Sequence, residues 1–559
     1  MPTRAQATPS PSPVTGCEGL IIQTGTPEMS PREALLLAQR VIAESLSGRW
    51  AIEPLGRYVR EFLLVKPPGT RQISVARGWE LAAQLRRHRD VAAAEPALVV
   101  PGLLPEPVQL LAEDEQRAMP AALAAAPLDC SDPTDWALAL CSLPAAWEMA
   151  LPSSGYGKRY GEGIIVGHPD TGYTQHPEIW DQARLLAGAG YDFETPDSNP
   201  QDPLAGLNPG HGTSTASVIM SSVSSEVGGV FVTGAAPSAS LVPLRVATSV
   251  IHLSFANLTK ALYFAADQGH HVISMSLGGP VGSPALLRAI RYALDRGVIL
   301  LAAAGNVWPW VVYPAKYDEV IAVAACNCRR GVWSLSSKGP AVDVSAPGES
   351  VWVAQASRDG AFSNHRSSGT SVAVALTAGV CALWLAYHGR DYLLQRYGAA
   401  QLAAVFKELL LNTGVDTPAG WDRTQFGAGI VNAQKVLAAP LPDTPPAGGV
   451  RAQRASPAPA DDSSALLDYF PDADPTAVHL ALLRLLQTDE RHLAPLLAEH
   501  GDELQFHLAT NPVVRDTISQ LASAGAERVQ VLRQQLATDP QFVSEASKEL
   551  QQLVQAGNE

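Results

Sequence analysis

Cysteine is scarce in this chain, and none of it sits in a metal-binding pattern. Six occur in 559 residues: Cys17, Cys130, Cys141, Cys326, Cys328 and Cys381. Cys326-Asn327-Cys328 has one residue between its thiols, and no second pair stands at zinc spacing, which argues against a structural zinc site. Cys130 and Cys141 could form a bridge. Free thiols in a reducing compartment are the alternative, and the reading slightly preferred. The first twenty residues lack an apolar run of signal-peptide length. Pro9, Pro11 and Pro13 make residues 1–17 read as a disordered leader. The cytoplasm is therefore the expected location, with secretion as the alternative. Positive charge is not in excess either. The formal net charge is -14 and the pI about 5.4. An acidic surface argues against nucleic acid and anionic membrane as main partners.

What is present is a globular composition, 46% hydrophobic, on a chain long enough for two to four domains. No Asp, Glu, Lys or Arg falls between Arg366 and Arg390, and Val372 to Tyr387 is mostly apolar. A helix apolar all round is buried in a large protein or in lipid. The glycine and serine pattern that opens this one favours a protein core.

The organisation follows from periodicity and punctuation. Leu20 to Gln23 reads as a strand. Ser30, with Pro31 behind it and Glu33 three residues on, starts a helix. Tyr58 to Val65, Arg77 to His88 and Val91 to Val100 read as strand, helix and strand, giving a small α+β unit over residues 18–102. Residues 103–128 are an Ala/Pro/Leu-rich linker. Residues 129–440 alternate strands with helices, which predicts an α/β fold: a doubly wound, mostly parallel sheet. The strands expected there are Ile164 to Val166, Leu241 to Val246, Val272 to Met275, Val298 to Ala302 and Val320 to Ala324. Residues 441–461 are a Pro/Ala-rich linker. Residues 462–559 read as all-helical. Asn511-Pro512 and Asp539-Pro540 are helix starts 28 residues apart, a short candidate repeat. That region carries no catalytic constellation and reads as a helical partner-binding or oligomerisation module.

Four short signatures occur in order: Asp170-Thr171-Gly172, His211-Gly212-Thr213, Ala303-Ala304-Gly305-Asn306 and Gly369-Thr370-Ser371. A serine hydroxyl needs a base to become a nucleophile, and a histidine base needs a carboxylate to hold its tautomer. Ser371, at the start of the long apolar helix, is the candidate nucleophile. His211, between Gly210 and Gly212, is the candidate base. Asp170 is the candidate orienting carboxylate. Asn306 offers a side-chain amide for an oxyanion, with the Ser371 backbone N–H as second donor. The residues lie too far apart in sequence for local contact, so the fold must assemble them. The other histidines, including the pair His270-His271 and His365, lack such context.

Aspartate, then histidine, then serine is the chain order of subtilisin, unlike that of chymotrypsin or the α/β-hydrolases. With Ser274-Met275-Ser276-Leu277-Gly278-Gly279, Tyr313-Pro314-Ala315, Ser345-Ala346-Pro347-Gly348 and Phe426-Gly427-Ala428-Gly429-Ile430-Val431-Asn432, the stretch from about Asp132 to about Leu437 resembles the subtilisin-like serine peptidases, the subtilases. The resemblance implies a serine endopeptidase acting through an acyl-enzyme. It implies that Ser276, Leu277 and Gly278 bind substrate backbone, and that residues 18–102 resemble an inhibitory propeptide, making the chain a zymogen. A non-catalytic scaffold on the same fold, acting through its helical C-terminal domain, is the competing reading. The implied partners are a protein or peptide substrate, the N-terminal region as intramolecular inhibitor, and a protein bound by the helical domain.

No organic cofactor is implied. The family's calcium loops are not clearly matched. Glu178 and Asp343 come nearest, and each reads better as a surface carboxylate. Four departures from the family pattern stand out: His168-Pro169 replaces two apolar residues before the aspartate, Thr215-Ala216-Ser217 replaces Val-Ala-Gly, and Val372 and Ala375 replace methionine and proline. Pro169 implies an altered strand end and Ser217 a looser helix contact.

Overall fold

The computed structural model describes residues 16–25, 29–56, 62–69, 72–99, 136–197, 199–222, 230–251, 255–447, 464–467, 469–470 and 473–555. Residues 1–15 of the expected leader, the 103–128 linker and most of the 441–461 linker lie outside them; Gly16 and Cys17, expected in the leader, instead open the first strand. The chain forms two compact units. One holds residues up to Glu53, Leu63–Met119 and Asp461–Glu559; the other holds Pro54–Phe62 and Pro120–Ala460.

In the first unit the order is β1 (Gly16–Thr24), α1 (Pro31–Ser45), β2 (Ala51–Pro54), β3 (Phe62–Lys66), α2 (Val75–Arg86) and β4 (Val91–Val99). The sheet order is β2-β3-β1-β4, with β1 and β4 antiparallel. Ser30 and Glu33 form the expected capping box, each side chain bonding the other's backbone amide. Leu20, Ile22, Val41, Ile42, Leu63, Val65, Leu81 and Leu85 make the core between sheet and helices. The sequence reading lacks β2. That strand is four residues long, mostly exposed, and ends in proline, so it has neither alternation nor an apolar face to show.

The same unit contains the C-terminal helices, which the sequence reading sets apart as their own domain. Helix α2 packs against the helices Glu490–Thr510, Pro540–Glu545 and Lys548–Gln555. Trp79 of α2 is buried, its ring 5.9 Å from that of Phe506. Arg87 pairs with Glu499 at 2.9 Å and Glu549 at 2.7 Å, and Arg86 donates to the Glu499 carbonyl. Asn511 and Asp539 do cap the two expected helices, and the Asn511 amide donates to Asp539 at 2.8 Å.

The second unit is built on a nine-stranded sheet ordered β14-β15-β11-β10-β9-β8-β5-β7-β6. Its strands are β5 (Ile165–Asp170), β6 (Tyr191–Asp192), β7 (Ser240–Arg245), β8 (Val272–Met275), β9 (Ile299–Ala303), β10 (Ile321–Cys326), β11 (Val344–Pro347), β14 (Val415–Asp416) and β15 (Ile430–Val431). All neighbours run parallel except β14 against β15. Every residue of β8, β9 and β10 is buried, as in a sheet covered on both faces. Residues Val351–Ala356 and Phe362–Ser367 form a separate hairpin, β12-β13. The apolar helix Thr370–His388 packs on β5 and on β8 to β11, and its most apolar window is 94% buried inside the protein.

Of the two expected local disruptions, the one at Pro169 is confined to the β8 side of its strand and the one at Ser217 does not occur. Pro169 sits inside β5, which stays paired with β7 as far as Asp170 opposite Arg245. The ladder to β8 has ended at Gly167, so no donor is missed there. Ser217 is fully buried and does not loosen its helix: its hydroxyl donates to the Ser214 carbonyl and accepts from the Ala354 amide. Cys141 is a buried free thiol, so no Cys130–Cys141 bridge forms. Cys328 is disulfide-bonded, and Cys130 lies outside the described residues.

Two buried histidines and a third that is partly buried give this unit a pH dependence. Burial lowers His270 to about 4 and His388 to about 4. Burial, then the Arg390 charge and His270, lowers His271 to about 3. An unfolded histidine titrates near 6.5. Below that pH the unfolded chain takes up protons that the folded chain refuses, so stability is complete above pH 6.5 and drains as pH falls towards 4. A displacement from 6.5 to about 4 at one histidine is worth about 3 kcal/mol. Thermal melts of the full chain, with Ser371→Ala to prevent self-digestion, should show Tm falling steeply over that window. A flat Tm between pH 6.5 and 4 would contradict it.

Candidate active site

Asp170 is the last residue of β5 and fully buried, at the carboxyl edge where doubly wound sheets gather their sites. Its Oδ1 accepts from His211 Nδ1 at 2.8 Å and from the Thr171 amide at 2.7 Å. Burial works to raise the Asp170 carboxyl. The His211 imidazole, with His168 and the Thr171 amide, outweighs burial and holds it below the usual carboxylate range. Asp170 is thus an anion that keeps the proton of His211 on Nδ1. That leaves Nε2 as the basic nitrogen.

His211 is the first residue of the helix His211–Met220. Gly210 takes the left-handed conformation, φ +74, to start it. Gly212 lies so close to the Gly172 carbonyl that a Cβ would come within 2.0 Å of its oxygen. Any side chain there would push the aspartate and histidine segments apart. Asp202, absent from the sequence reading, ties these segments together. Its Oδ2 accepts from Thr171 Oγ1 at 2.6 Å and from the Gly210 amide at 2.9 Å, while Thr171 Oγ1 accepts from the Gly212 amide. A lone loop aspartate carries no local signal of such a role.

Ser371 is the second residue of the Thr370–His388 helix, where the first-turn amides have no intrahelical acceptor. Its hydroxyl donates to the Ser276 carbonyl at 3.3 Å, and the Ser276 hydroxyl donates to the Ser371 carbonyl at 3.1 Å. Ser276 follows β8 directly, and β8 lies beside β5, so the serine stands at the same sheet edge as Asp170. The His211–Met220 helix also packs against the serine helix.

Asn306 follows β9, the next strand along that edge. Its Oδ1 accepts from the Thr370 amide at 2.9 Å and the Thr370 hydroxyl at 2.8 Å. A backbone N–H can only donate, so the oxygen must face Thr370 and the NH2 group is turned away from it. That orientation suits a donor to an oxyanion formed at Ser371. Asn306→Ala should lower kcat by about 100- to 1000-fold with little change in KM. A drop below tenfold in steady-state kinetics would remove it from the oxyanion site.

The expected substrate-binding segment is only partly free. Ser276 and Leu277 are buried, and Ser276 braces Ser371. The Gly278 amide donates to the Val250 carbonyl at 2.9 Å, and Gly279 pairs with Tyr313 through two bonds. Strand addition at Gly278 therefore requires the Val250 segment to yield. Glu178 and Asp343 are buried and not surface carboxylates. Glu178 accepts from Ser221, Val232 and Asn364, and Asp343 pairs with the fully buried Lys407 at 3.0 Å. Both Glu178 oxygens and Oδ2 of Asp343 are engaged by protein donors, which does not fit a calcium site. His365 sits on β13 opposite Val353, and the His271 ring accepts from the Ile165 amide; neither joins this constellation.

Comparison with known proteins agrees with this geometry. The family model described as the subtilase family matches residues 161–429, which span all four signatures. Thermitase from Thermoactinomyces vulgaris is 35% identical over 250 residues, 44% of this chain and 80% of the thermitase. Subtilisin DY from Bacillus licheniformis is 32% identical over 280 residues, 49% of this chain and 90% of that protein. A thermostable alkaline protease from Halalkalibacterium halodurans is 34% identical over 228 residues, 40% of this chain and 57% of its own length. A solved structure described as MycP1 with the N-terminal propeptide removed aligns at 23% identity with a TM-score of 0.41, over 55% of this chain and 98% of its own. With the fold, the aspartate–histidine pair and the matches to thermitase and subtilisin DY together, the chain belongs to the subtilase family and is a subtilisin-like serine peptidase.

Proposed function

We propose that this peptidase cuts internal peptide bonds of proteins through an acyl-enzyme formed on Ser371. His211 takes the serine proton and returns it to the leaving amine, Asp170 stabilises the imidazolium, and Asn306 with the Ser371 amide receives the oxyanion. The single observation carrying this is the 2.8 Å bond between the buried Asp170 carboxylate and His211 Nδ1. Peptide substrate is read as an added strand beside Ser276, Leu277 and Gly278. The β1-to-β4 unit is read as an intramolecular inhibitor that makes the chain a zymogen, cut within the 103–128 linker. The helices after residue 462 are read as an anchor for that unit, because they cover α2; this favours a regulatory role over a scaffold that has lost catalysis.

One experiment separates these readings. Purified wild type should take a fluorophosphonate on Ser371 and show a cut in residues 103–128 by mass spectrometry; Ser371→Ala should show neither. Labelling that survives in Ser371→Ala refutes the nucleophile. Labelling with an uncut linker refutes the zymogen alone. Location is likewise a proposal. The disulfide at Cys328 favours an oxidising compartment over the cytoplasm, and non-reducing peptide maps of protein from its natural source decide it.

A further inference from the structure

Two buried polar side chains behind Asp170 take no part in the mechanism above. His168 lies two residues before Asp170 on β5, and Thr215 lies one turn into the histidine helix; each is 1% exposed. His168 Nε2 is 2.9 Å from Thr215 Oγ1, which is 3.3 Å from Asp170 Oδ2. The same His168 nitrogen is 3.8 Å from that carboxylate oxygen.

We propose that His168 is a positioning residue of the triad: its Nε2–H donates to Thr215 Oγ1 and so commits the Thr215 hydroxyl proton to Asp170 Oδ2. The assignment rests on Asp170 and His211 being the catalytic pair. Counting donors decides it. Asp170 Oδ1 is served by His211 and Thr171, whereas Oδ2 has Thr215 as its one hydrogen-bond donor among the described residues. Thr215 Oγ1 also lies 3.1 Å from the His211 carbonyl and 3.5 Å from that of Gly212. The His211 carbonyl faces the regular helix amide four residues on; a buried carboxylate oxygen left without a donor is the costlier outcome. Were Nε2 unprotonated, Thr215 would donate to it and Oδ2 would lose its donor. Burial pushes His168 down against the pull of the Asp170 carboxylate, so the ring is neutral at neutral pH and offers a single N–H.

The surroundings add little other charge. Asp202 faces Asp170 from the loop before the histidine helix. Arg245 of β7 is engaged by Asp192 and Thr195. The helix Ala256–Asp267, packed on β5, carries Lys260 and Asp267; β8 and the start of the serine helix bring Ser274, Ser276 and Ser371, none of them charged.

The consequence is a weaker base at His211. A donor on Oδ2 draws charge from the carboxylate and lowers its grip on the imidazolium. Without that donor the His211 imidazolium is better stabilised, so the acid limb of the kcat/KM profile moves to higher pH. His168→Val and Thr215→Val should each raise that limb by about 0.5–1 pH unit and lower kcat/KM by about 3- to 10-fold on the acid side of the limb, with a smaller loss at neutral pH. The double variant should match the singles. Thr215→Ser, which keeps the hydroxyl, should restore the wild-type limb. If His168→Val does not fold, the two Thr215 variants carry the test. Hydrolysis by wild type that does not depend on Ser371 would sink the peptidase reading. Ser371-dependent hydrolysis with superimposable pH profiles for wild type and Thr215→Val would sink the His168 relay alone.

Discussion

Replacing Ser371 with alanine should lower kcat by about a million-fold. Replacing His211 with alanine should cost about as much, and the double variant no more. The reason is that the two act as one unit: a hydroxyl without its base and a base without its hydroxyl are equally inert. What survives comes from binding and from the oxyanion donors, Asn306 and the helix amide. Both variants should keep the wild-type fold. The serine helix is anchored through Thr370 on Asn306 and through the Ser276 hydroxyl on the Ser371 carbonyl, neither of which involves the removed hydroxyl. Single-turnover kinetics on a peptide ester, alongside melts, would measure this. Additive losses in the double variant would mean that the residues do not share a step.

The second large effect concerns stability. Deleting residues 461–559 should destabilise the β1-to-β4 unit by several kcal/mol. Its own core spans fewer than ninety residues, a size at which burial is marginal. Trp79, now 3% exposed beside Phe506, would be uncovered. The Arg87 pairs with Glu499 and Glu549 would vanish too, but they are largely exposed and contribute little. The loss is therefore mainly apolar. Amide exchange across residues 16–99 of the truncated chain should approach unfolded rates, while exchange in 136–447 stays slow. If the unit is the inhibitor, the truncated chain should also show a higher initial rate. Unchanged protection in residues 16–99 would show that α2 needs no cover.

Much of the site was legible because its groups sit at chain punctuation. Asp170 ends a strand, His211 opens a helix between glycines, and Ser371 opens the longest apolar stretch. Such positions leave marks in order and flanking residues. The helix caps at Ser30, Asn511 and Asp539 were readable for the same reason: capping is a contact within three residues. Asp202 left no mark, since it acts through partners distant in sequence, and Thr171 was visible only as part of its signature. His168, Thr215 and Ser217 were visible only as departures, and a departure shows that something changed without showing what the new side chain touches. Glu178 and Asp343 were misread as surface carboxylates because their partners, among them Ser221, Asn364 and Lys407, are far along the chain.

The amino-acid sequence by itself determined the chemistry on offer, the alternation that makes a parallel sheet, and the helix starts, because periodicity, capping and turn chemistry act over a few residues. Tertiary structure alone decided that the two ends of the chain fold as one unit, that Asp170 has a second polar layer behind it, and that the Gly278 amide is already taken. Those outcomes depend on which surfaces meet after long loops close, and the closing of a long loop leaves no trace in local sequence.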